Sequence, residues 1–513
     1  MSDSSRKTED APKVKPRRAA GARTLWNRFA IDPRSLALFR IVIALVLLTD
    51  LAIRATDLKV MYTDDGMFPR AEICRLITSV WNWSFHFASG SPGYQAMLFG
   101  IAALLAAALM LGYETRIAVI GSWLMLISIH HRVPVINSGA EILLRMLLFW
   151  AMFLPLGRTW SLDAWLAKRR GVAPAHGGEE PVVFVGSTAI LLQMGLMYFF
   201  SAFFKTNSQW TGGTALSGVF AHDFYSSPAG VYLLQFPGLL SVLTRVTLAV
   251  EWAGPLLLFF ARNAWLRVAG IVVLTLMHIG IGICLEVGLF SYVALAGLTL
   301  FLPAAFWNSR LFARLRRSPE PVSERTAVKG GPPLHSTAQR VCMVCLIYVI
   351  LSNLNSFQSR PLAAVAPEKW VPFSRGLGLA QRWGMFEAVP SKDGWYVARA
   401  RLTDGSEVDL LRSGAAVDWR RPAYPARLYP NHYWQKLFRE MAYEDEQGFQ
   451  LFRAPVARYL CRAWNFRNGP EKQVVEFDFV YCMEGTAGTA DGLSPRMFRE
   501  QLLHLDLDQP GER

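Results

Sequence analysis

The stretch VVFVGSTAILLQMGLMYFFSAFFKTNSQW, residues 182–210, decides the fold. About 20 consecutive apolar residues span a bilayer core as a helix. The run Val182–Phe204 has this length, and polar residues follow at once after Lys205. The stretch therefore predicts a membrane-spanning helix with a lone amine at one end. Within the apolar run the only polar side chains are Ser187, Thr188, Gln193, Tyr198 and Ser201.

Other apolar runs resemble this one, and together they predict about nine membrane spans. Hydrophobic residues make up 52% of the chain and charged residues 18%, a low charged share for a soluble protein. The predicted fold class is a polytopic α-helical membrane protein with a C-terminal extracytoplasmic α+β domain. The other predicted spans are Leu36–Ile53, Gln95–Leu111, Ile117–Ile129, Ile142–Leu156, Leu239–Phe260, Val268–Cys284, Gly288–Leu302 and Arg340–Leu351.

The basic residues predict the orientation of these spans. Arginine and lysine concentrate in the N-terminal arm and in alternate loops, and such loops stay in the cytoplasm. With about nine spans the N-terminus is then cytoplasmic and the C-terminal region periplasmic, which places the chain in a bacterial inner membrane. The net charge of +14 is explained by this topology, so no nucleic-acid partner is expected.

Composition divides the chain into five parts. Residues 1–35 predict a disordered basic cytoplasmic tail, 36–304 the transmembrane bundle and 305–339 a cytoplasmic linker. Residues 340–357 predict the last span, and 358–513 the periplasmic α+β domain. In that domain GWYVARARLTDGSEVDLL alternates like strands around a turn, KQVVEFDFVYCM predicts a strand, and HYWQKLFREMAYEDEQGFQLFRAPVARYLCRAW predicts helix.

The cysteines predict one disulfide and no metal centre. Cys461 and Cys482 share the predicted periplasmic domain, and disulfides form and persist in that oxidising compartment. We therefore expect a bridge between them. The spacing of cysteine and histidine residues does not match a metal-binding pattern of the CxxC…CxxC type.

Several ionisable or amide side chains lie within predicted spans, where such groups are costly and often functional. Two readings of Lys205 stand: a long side chain that reaches the membrane interface, or a desolvated base whose proton is easily lost. Glu141 and Arg145 are four residues apart on one helix and can neutralise each other. The candidate pocket around Lys205 comprises Asn137, Glu141, Arg145, Trp210, Glu251 and His278.

Four stretches carry a resemblance to a known family. They are LFRIVIALVLLTDLAIRATDLKVMYTDDGMFPR, NSGAEILLRMLLFWAMFLPLGRTWSLDAW, YFFSAFFKTNSQW and MHIGIGICLEVGLFSYVALAGLTLFLP. The chain resembles the bacterial HTTM (horizontally transferred transmembrane) domain proteins, which are similar to vitamin K-dependent gamma-glutamyl carboxylase. The resemblance covers roughly residues 36–303.

The resemblance implies a function for Lys205. In the similar carboxylase a lysine at this position deprotonates a reduced vitamin K-type quinone. Oxygen adds, an epoxide forms, and the strong base so produced removes a glutamate γ-proton before carbon dioxide adds. Lys205 would be the catalytic base, with the membrane lipid and its quinone as partners and a secreted peptide or protein as substrate.

Two alternatives stay open. Thr206, Asn207 and Ser208 stand where the carboxylase has acidic residues, and Asn137 is followed by Ser138, where the carboxylase has a histidine. A non-catalytic membrane factor that matures or exports a secreted peptide is therefore the alternative to an enzyme. A transporter is the weaker alternative, because we find no pair of Gly/Pro-broken spans in corresponding halves.

Overall fold

A computed structural model describes residues 27–76, 79, 81–171, 180–315, 336–356, 370–389, 393–442, 448–484 and 497–507. Most of the predicted cytoplasmic tail, residues 1–26, lies outside the described residues. So do residues 316–335 of the predicted linker.

Each predicted span corresponds to a helix among the described residues. These helices are α1 (Pro33–Thr56), α2 (Pro92–Leu111), α3 (Thr115–Arg132), α4 (Gly139–Ala151), α5 (Val185–Phe204), α6 (Pro237–Phe260), α7 (Ala264–Cys284), α8 (Phe290–Thr299) and α9 (Thr337–Asn355). Six of them, all except α3, α4 and α8, are long and apolar enough to cross a membrane. The chain is therefore a mostly helical membrane protein with six candidate spans.

Short helices lie between the long ones and, in one case, between α9 and the sheet domain. They are Leu58–Tyr62, Arg70–Leu76, Leu162–Arg169, Ser208–Gly212, Ala215–Ala221, Pro228–Leu233, Ala304–Trp307 and Val371–Gly376.

Local sequence signals explain where the helices begin and end. Ser91 caps the start of α2, which then begins with a proline, and α2 ends at Gly112 with a positive φ of 68°. At the end of α5, Lys205 leaves the helical conformation. The side chain of Asn207 then caps the helix Ser208–Gly212. Lys205 is thus held at a sharp break between two helices.

The C-terminal part, residues 393–507, forms a small α+β unit that we call the sheet domain. Its antiparallel sheet has the strand order β3-β2-β1-β4-β5. One face of β1 and β4 packs on the domain helices and the other buries a second, smaller apolar cluster. The elements are β1 (Gly394–Leu402), β2 (Glu407–Asp409), β3 (Ala415–Ala416), α10 (His432–Met441), α11 (Arg453–Arg467), β4 (Val474–Glu484) and β5 (Met497–Asp506).

The sequence predicts most of this domain correctly. The two alternating segments form β1, β2 and β4, and the turn predicted at TDG joins β1 to β2. The predicted helical stretch becomes two helices, α10 and α11, and Gly448, with a positive φ of 70°, begins a short 3-10 turn, Phe449–Phe452, that leads into α11. Strand β5 was not predicted.

The sheet domain packs on one end of the helical bundle, which we call the domain end. Asn431 donates to the Asp57 carboxylate at 2.6 Å, just after α1. Arg458 contacts Glu72 at 3.1 Å, and Arg462 donates to the Gly66 carbonyl at 3.0 Å. Lys205 follows the C-terminal end of α5, so the chain reaches the domain end there.

The predicted disulfide is not formed. Cys461 and Cys482 are both free thiols and both are buried. Cys482 belongs to the small cluster with Trp395 and Val397, whereas Cys461 packs in the main core on the other face of the sheet. The prediction was wrong because a shared domain does not bring two side chains to one face of a strand. Burial raises the pKa of the Cys461 thiol to about 12.

Candidate functional site

Lys205 forms a buried ion pair with Glu251. Its Nζ lies 2.6 Å from each carboxylate oxygen of Glu251 and donates to Ser201 Oγ at 2.7 Å. Only 4% of the lysine side chain and 8% of the glutamate side chain are exposed. The ammonium therefore has polar partners on α5 and α6 and little contact with solvent.

One face of α5 presents the groups of this centre. Tyr198, Ser201 and Lys205 are spaced by three and four residues, the spacing of neighbours on a helix face. The Tyr198 hydroxyl lies 2.8 Å from His278 Nε2 on α7, and both side chains are buried. Three helices thus converge through a Lys–Ser–Glu group and a Tyr–His pair. We call these five residues the lysine centre.

The position of Glu251 bears on the interfacial-anchor interpretation of Lys205. Glu251 lies in the middle of α6, not at its end. An amine that pairs there and is almost fully buried does not reach the membrane interface. The interfacial-anchor reading of Lys205 is therefore wrong. Removing one partner of such a pair is costly, because the other charge stays buried and uncompensated.

Trp210 borders the lysine centre, and an exposed aromatic group lies at neighbouring positions of α5 and α6. The Trp210 ring lies 5.0 Å from Lys205 Nζ, and its indole nitrogen donates to the Phe386 carbonyl at 2.8 Å. On the bundle surface Phe199 packs edge-on against Trp252 and stacks on Phe203. These three side chains are 38–40% exposed. An exposed aromatic surface on membrane helices faces lipid.

Glu141 belongs to a different buried cluster. It completes a capping box with Ser138 at the start of α4, and its Oε1 lies 3.5 Å from Arg54 on α1. Arg54 also binds Asp50 at 2.9 Å. Tyr433 of the sheet domain donates to both Asp50 and Glu141. This cluster joins α1, α4 and α10, so Glu141 acts in docking the domain on the bundle.

Glu141 and Arg145 both lie on α4, but they form no direct ion pair among the described residues. Arg145 donates from Nε to the Gly378 carbonyl at 2.9 Å and from its terminal nitrogen to the Ala380 carbonyl at 2.8 Å. Backbone carbonyls buried in protein need such donors. Asn137 likewise bonds to backbone, donating to the His130 carbonyl at 2.8 Å. Of the predicted pocket residues, the structure brings Lys205, Trp210 and Glu251 together, with His278 joined through Tyr198.

A non-helical segment, residues 377–389, enters the bundle from the domain end. We call it the re-entrant segment. Its deepest described contacts are at Gln381, whose amide exchanges hydrogen bonds with Gln193 of α5 at 2.6 and 3.3 Å. Gln193 lies about 18 Å further along the α5 axis than Lys205. The indole N–H of Trp150, on α4, donates to the side-chain oxygen of Gln193. The indole N–H of Trp383 donates to the side-chain oxygen of Gln381.

The re-entrant segment then returns past the lysine centre. Beyond the Phe386 carbonyl that holds Trp210, the Glu387 carbonyl accepts from Asn207 at 2.8 Å, and the Val389 amide donates to Gln209 at 3.2 Å. Irregular backbone is tolerated at membrane depth only where protein buries it or where it lines a cavity. Here Arg145, Asn207, Gln209 and Trp210 bond its backbone groups, so the segment is a structural wall of the site.

Sequence reasoning missed several residues of this site. Ser201 and Tyr198 carry a usable signal, because they precede Lys205 at helical spacing on one face. Gln381 and Phe386 carry none, because their contacts cross the chain to residues nearly 200 positions away. The contact of Tyr433 with Asp50 on α1 is equally unpredictable, because nothing in the sequence around Tyr433 indicates a partner on that helix.

A second group of titratable residues lies on the exposed part of the sheet. Glu476, Asp478 and His504 lie within 4.8 Å of one another at their ligand atoms. Arg399 and Arg401 already bind these carboxylates, and the hydrogen bond that His504 donates to Asp478 raises the pKa of His504. The group is therefore an ion-pair network with its charge balanced by arginines.

The family model described as the HTTM domain matches residues 28–307 of the chain. The match covers α1 to α8 and includes all five residues of the lysine centre. The sheet domain and the re-entrant segment lie beyond it. No solved structure matches the chain. Because the matched region is more than half of the sequence, the chain belongs to the HTTM domain family.

Proposed function

We propose that this protein is a quinol-dependent membrane enzyme of the carboxylase-like type, with Lys205 as its base. The observation that carries the proposal is the buried contact of Lys205 with Glu251 and Ser201 beside a lipid-facing aromatic surface. The HTTM family is linked to membrane vitamin K-dependent carboxylase-like proteins, and this supports the same proposal. The domain end would face the periplasm of a bacterial inner membrane.

The residues present fit a reduced vitamin K-type quinone. The hydroxyl of Ser201 and the Lys205–Glu251 pair offer donors and acceptors for a phenolic group, and Phe199, Phe203 and Trp252 offer a flat apolar approach from lipid. When bound, the quinol supplies an acidic O–H and, after reaction with oxygen, a base strong enough to deprotonate a glutamate side chain for carboxylation.

The chain's own groups handle the first proton. We infer that Lys205 Nζ, as the base, accepts the phenolic proton and that Glu251 holds the resulting ammonium next to the anion formed. Ser201 orients the amine, and the Trp210 ring stabilises its charged form.

A second candidate function has one observation in its favour. The polar partners of Lys205 already engage its ammonium, as in a structural ion pair. The protein would then be a non-catalytic factor that binds a secreted peptide through the sheet domain and assists its maturation or export.

The test is quinol oxidation by the purified full-length protein in oxygen. Arginine keeps the charge and the contact with Glu251 but cannot act as a base near neutral pH. We expect Lys205→Arg to lose at least about 100-fold in rate, the lower bound for general-base catalysis. Arg382→Lys, an exposed change in the re-entrant segment, is the control and should retain the rate. Equal rates in wild type and Lys205→Arg, or no turnover in either, would favour the second function.

A further inference from the structure

A cavity of about 710 Å³ lies between the helical bundle and the sheet domain. The helices Ala215–Ala221 and Pro228–Leu233 contribute one side, and residues 421–435 of the sheet domain contribute the other. The volume is within the range of small-molecule sites. Lys205 and Glu251 are not among its lining residues. A ligand here would be separate from the lysine centre.

Three polar atoms in the wall of this cavity lack a partner. Among the described residues, no hydrogen-bond partner is found for Tyr429 Oη, His432 Nε2 or Gln435 Oε1. Tyr429 and Gln435 are only 6% and 7% exposed. Buried polar groups are almost always hydrogen-bonded, so a polar occupant of this cavity would complete the bonding of these three groups. Gln435 Oε1 can only accept, so that occupant carries an N–H or O–H group.

The charged residues of the wall indicate a ligand with both signs of charge. Arg421 and Asp223 bind each other. Arg427 and Glu286 are exposed, and neither forms an ion pair with another described residue. The Arg427 guanidinium instead lies 5.0 Å from the Tyr424 ring. One cation and one anion of the cavity wall are thus available to a ligand.

An apolar surface begins where the cavity wall ends. Val231 lines the cavity and is 40% exposed. Tyr232, Phe236 and Leu239 follow it, are more than 40% exposed, and lead onto the first turns of the candidate span α6. Large exposed apolar side chains at the end of a membrane helix face lipid. A molecule in the cavity can therefore extend directly into the bilayer.

We propose that this cavity binds the head group of a zwitterionic phospholipid that has a primary ammonium, of the phosphatidylethanolamine class. Arg427 binds the phosphodiester and Glu286 the ammonium. Tyr429, His432 and Gln435 complete the hydrogen bonds of the head group, and the acyl chains lie on the surface of Val231, Tyr232 and Phe236. The site would hold the sheet domain on the membrane independently of any reaction at Lys205.

The experiment uses the full-length protein in a neutral maltoside detergent, with thermal unfolding and bound-lipid mass spectrometry as readouts. Phosphatidylethanolamine, phosphatidylcholine and phosphatidylglycerol with the same acyl chains are added separately. We expect the first lipid to raise the Tm by several degrees more than the other two. Phosphatidylcholine lacks an N–H donor, and phosphatidylglycerol lacks a cation.

Matched variants locate the effect. Glu286→Gln should remove the preference for phosphatidylethanolamine over phosphatidylglycerol, and Arg427→Gln should weaken retention of both lipids. Glu471→Gln and Arg420→Gln, exposed changes outside the cavity, should leave the preference intact. Equal stabilisation by all three lipids, or an unchanged preference in Glu286→Gln, would overturn the proposal.

Two further arms separate other occupants. Glycerophosphoethanolamine carries the same head group without acyl chains, and diglycine is a soluble zwitterion of peptide type. We expect neither to shift the Tm at concentrations where the lipid acts. If glycerophosphoethanolamine raised the Tm as much as the lipid does, the ligand would be a free head group. If diglycine did so, the ligand would be a peptide. Either result would overturn the lipid assignment.

Discussion

Lys205 Nζ lies 2.6 Å from both carboxylate oxygens of Glu251, and this contact joins the end of α5 to the middle of α6. An isolated buried charge is far more costly than a buried pair. The contact therefore fixes where α5 must stop relative to α6. It also couples any change in the protonation of Lys205 to Glu251, so the two residues must be altered together before their structural and chemical roles can be separated.

Removing only the lysine should destabilise the protein strongly. We expect Lys205→Ala to cost about 3–5 kcal/mol, because Glu251 is left buried without a partner. The double variant Lys205→Met with Glu251→Leu removes both charges and should recover most of that loss. Denaturant unfolding in detergent measures both. A double variant as unstable as the single one would show that the pair is not the source of the loss.

Arg145 should hold the re-entrant segment in the bundle. Arg145→Gln removes two charge-assisted hydrogen bonds to the Gly378 and Ala380 carbonyls, at about 1.5–3 kcal/mol each. We expect faster protease cleavage within residues 377–389. Arg382→Gln is the control, since its side chain is half exposed and binds Glu387 on the same segment. Equal cleavage rates in the two variants would contradict the anchoring role.

Tyr433 should lock the sheet domain to the bundle. Tyr433→Phe keeps the ring 4.1 Å from the Arg54 guanidinium but removes the hydroxyl that donates to Asp50 and Glu141. We expect a loss of about 1–3 kcal/mol, because two buried carboxylates lose a donor. Hydrogen exchange in α10 reports the docking. Tyr424→Phe, at an exposed position, should leave the exchange rate in α10 unchanged. A similar increase of that rate in both variants would contradict the docking role of Tyr433.

Asp223 predicts a pH dependence of stability. Burial and then the Asp393 carboxylate raise its pKa from 3.8 to about 6, although Arg421 and His222 oppose the shift. Tyr429 also faces this carboxylate. A carboxyl group whose pKa is higher in the folded state stabilises the fold below its unfolded pKa, and this contribution is lost as the pH rises through about 6.

The measurement is the Tm of wild type and Asp223→Asn between pH 4.5 and 7.5. We expect wild type to gain stability relative to the variant as the pH falls, by up to about 2–3 kcal/mol for a shift of this size. Asp418→Asn, at an exposed position three residues before Arg421, serves as the control and should run parallel to wild type. A constant difference between wild type and Asp223→Asn across this range contradicts the assignment.

The sequence predicts the helices well and their contacts poorly. Long apolar runs identify α1, α5 and α6 because the bilayer demands length and apolarity in every residue of a span. The same apolar runs do not predict which faces of the helices pack against one another. Glu251 was therefore placed near Lys205 as one of several candidates, and Glu141 and Arg145 were placed there as well although the structure assigns both to other partners.

The rest of the site depends on distant residues. From the sequence, the re-entrant segment looks like an ordinary connecting loop. The hydrogen-bond partners of Gln381 and Phe386 lie on α5 and on the helix after it, far away in the chain, so the local sequence does not predict these contacts. The disulfide prediction failed for a related reason. Cys461 and Cys482 share a domain, but Cys482 points to one face of β4 while Cys461, on α11, packs in the main core against the other face.

The most direct test of the account is removal of the quinol proton in the absence of oxygen. A reduced naphthoquinone is mixed anaerobically with the full-length protein near neutral pH, and the ultraviolet difference spectrum reports its anion. We predict that wild type forms the anion and that Lys205→Arg, which keeps the pair with Glu251, does not. The same anion yield in Lys205→Arg, or no anion with wild type, would contradict the assignment of Lys205 as the base.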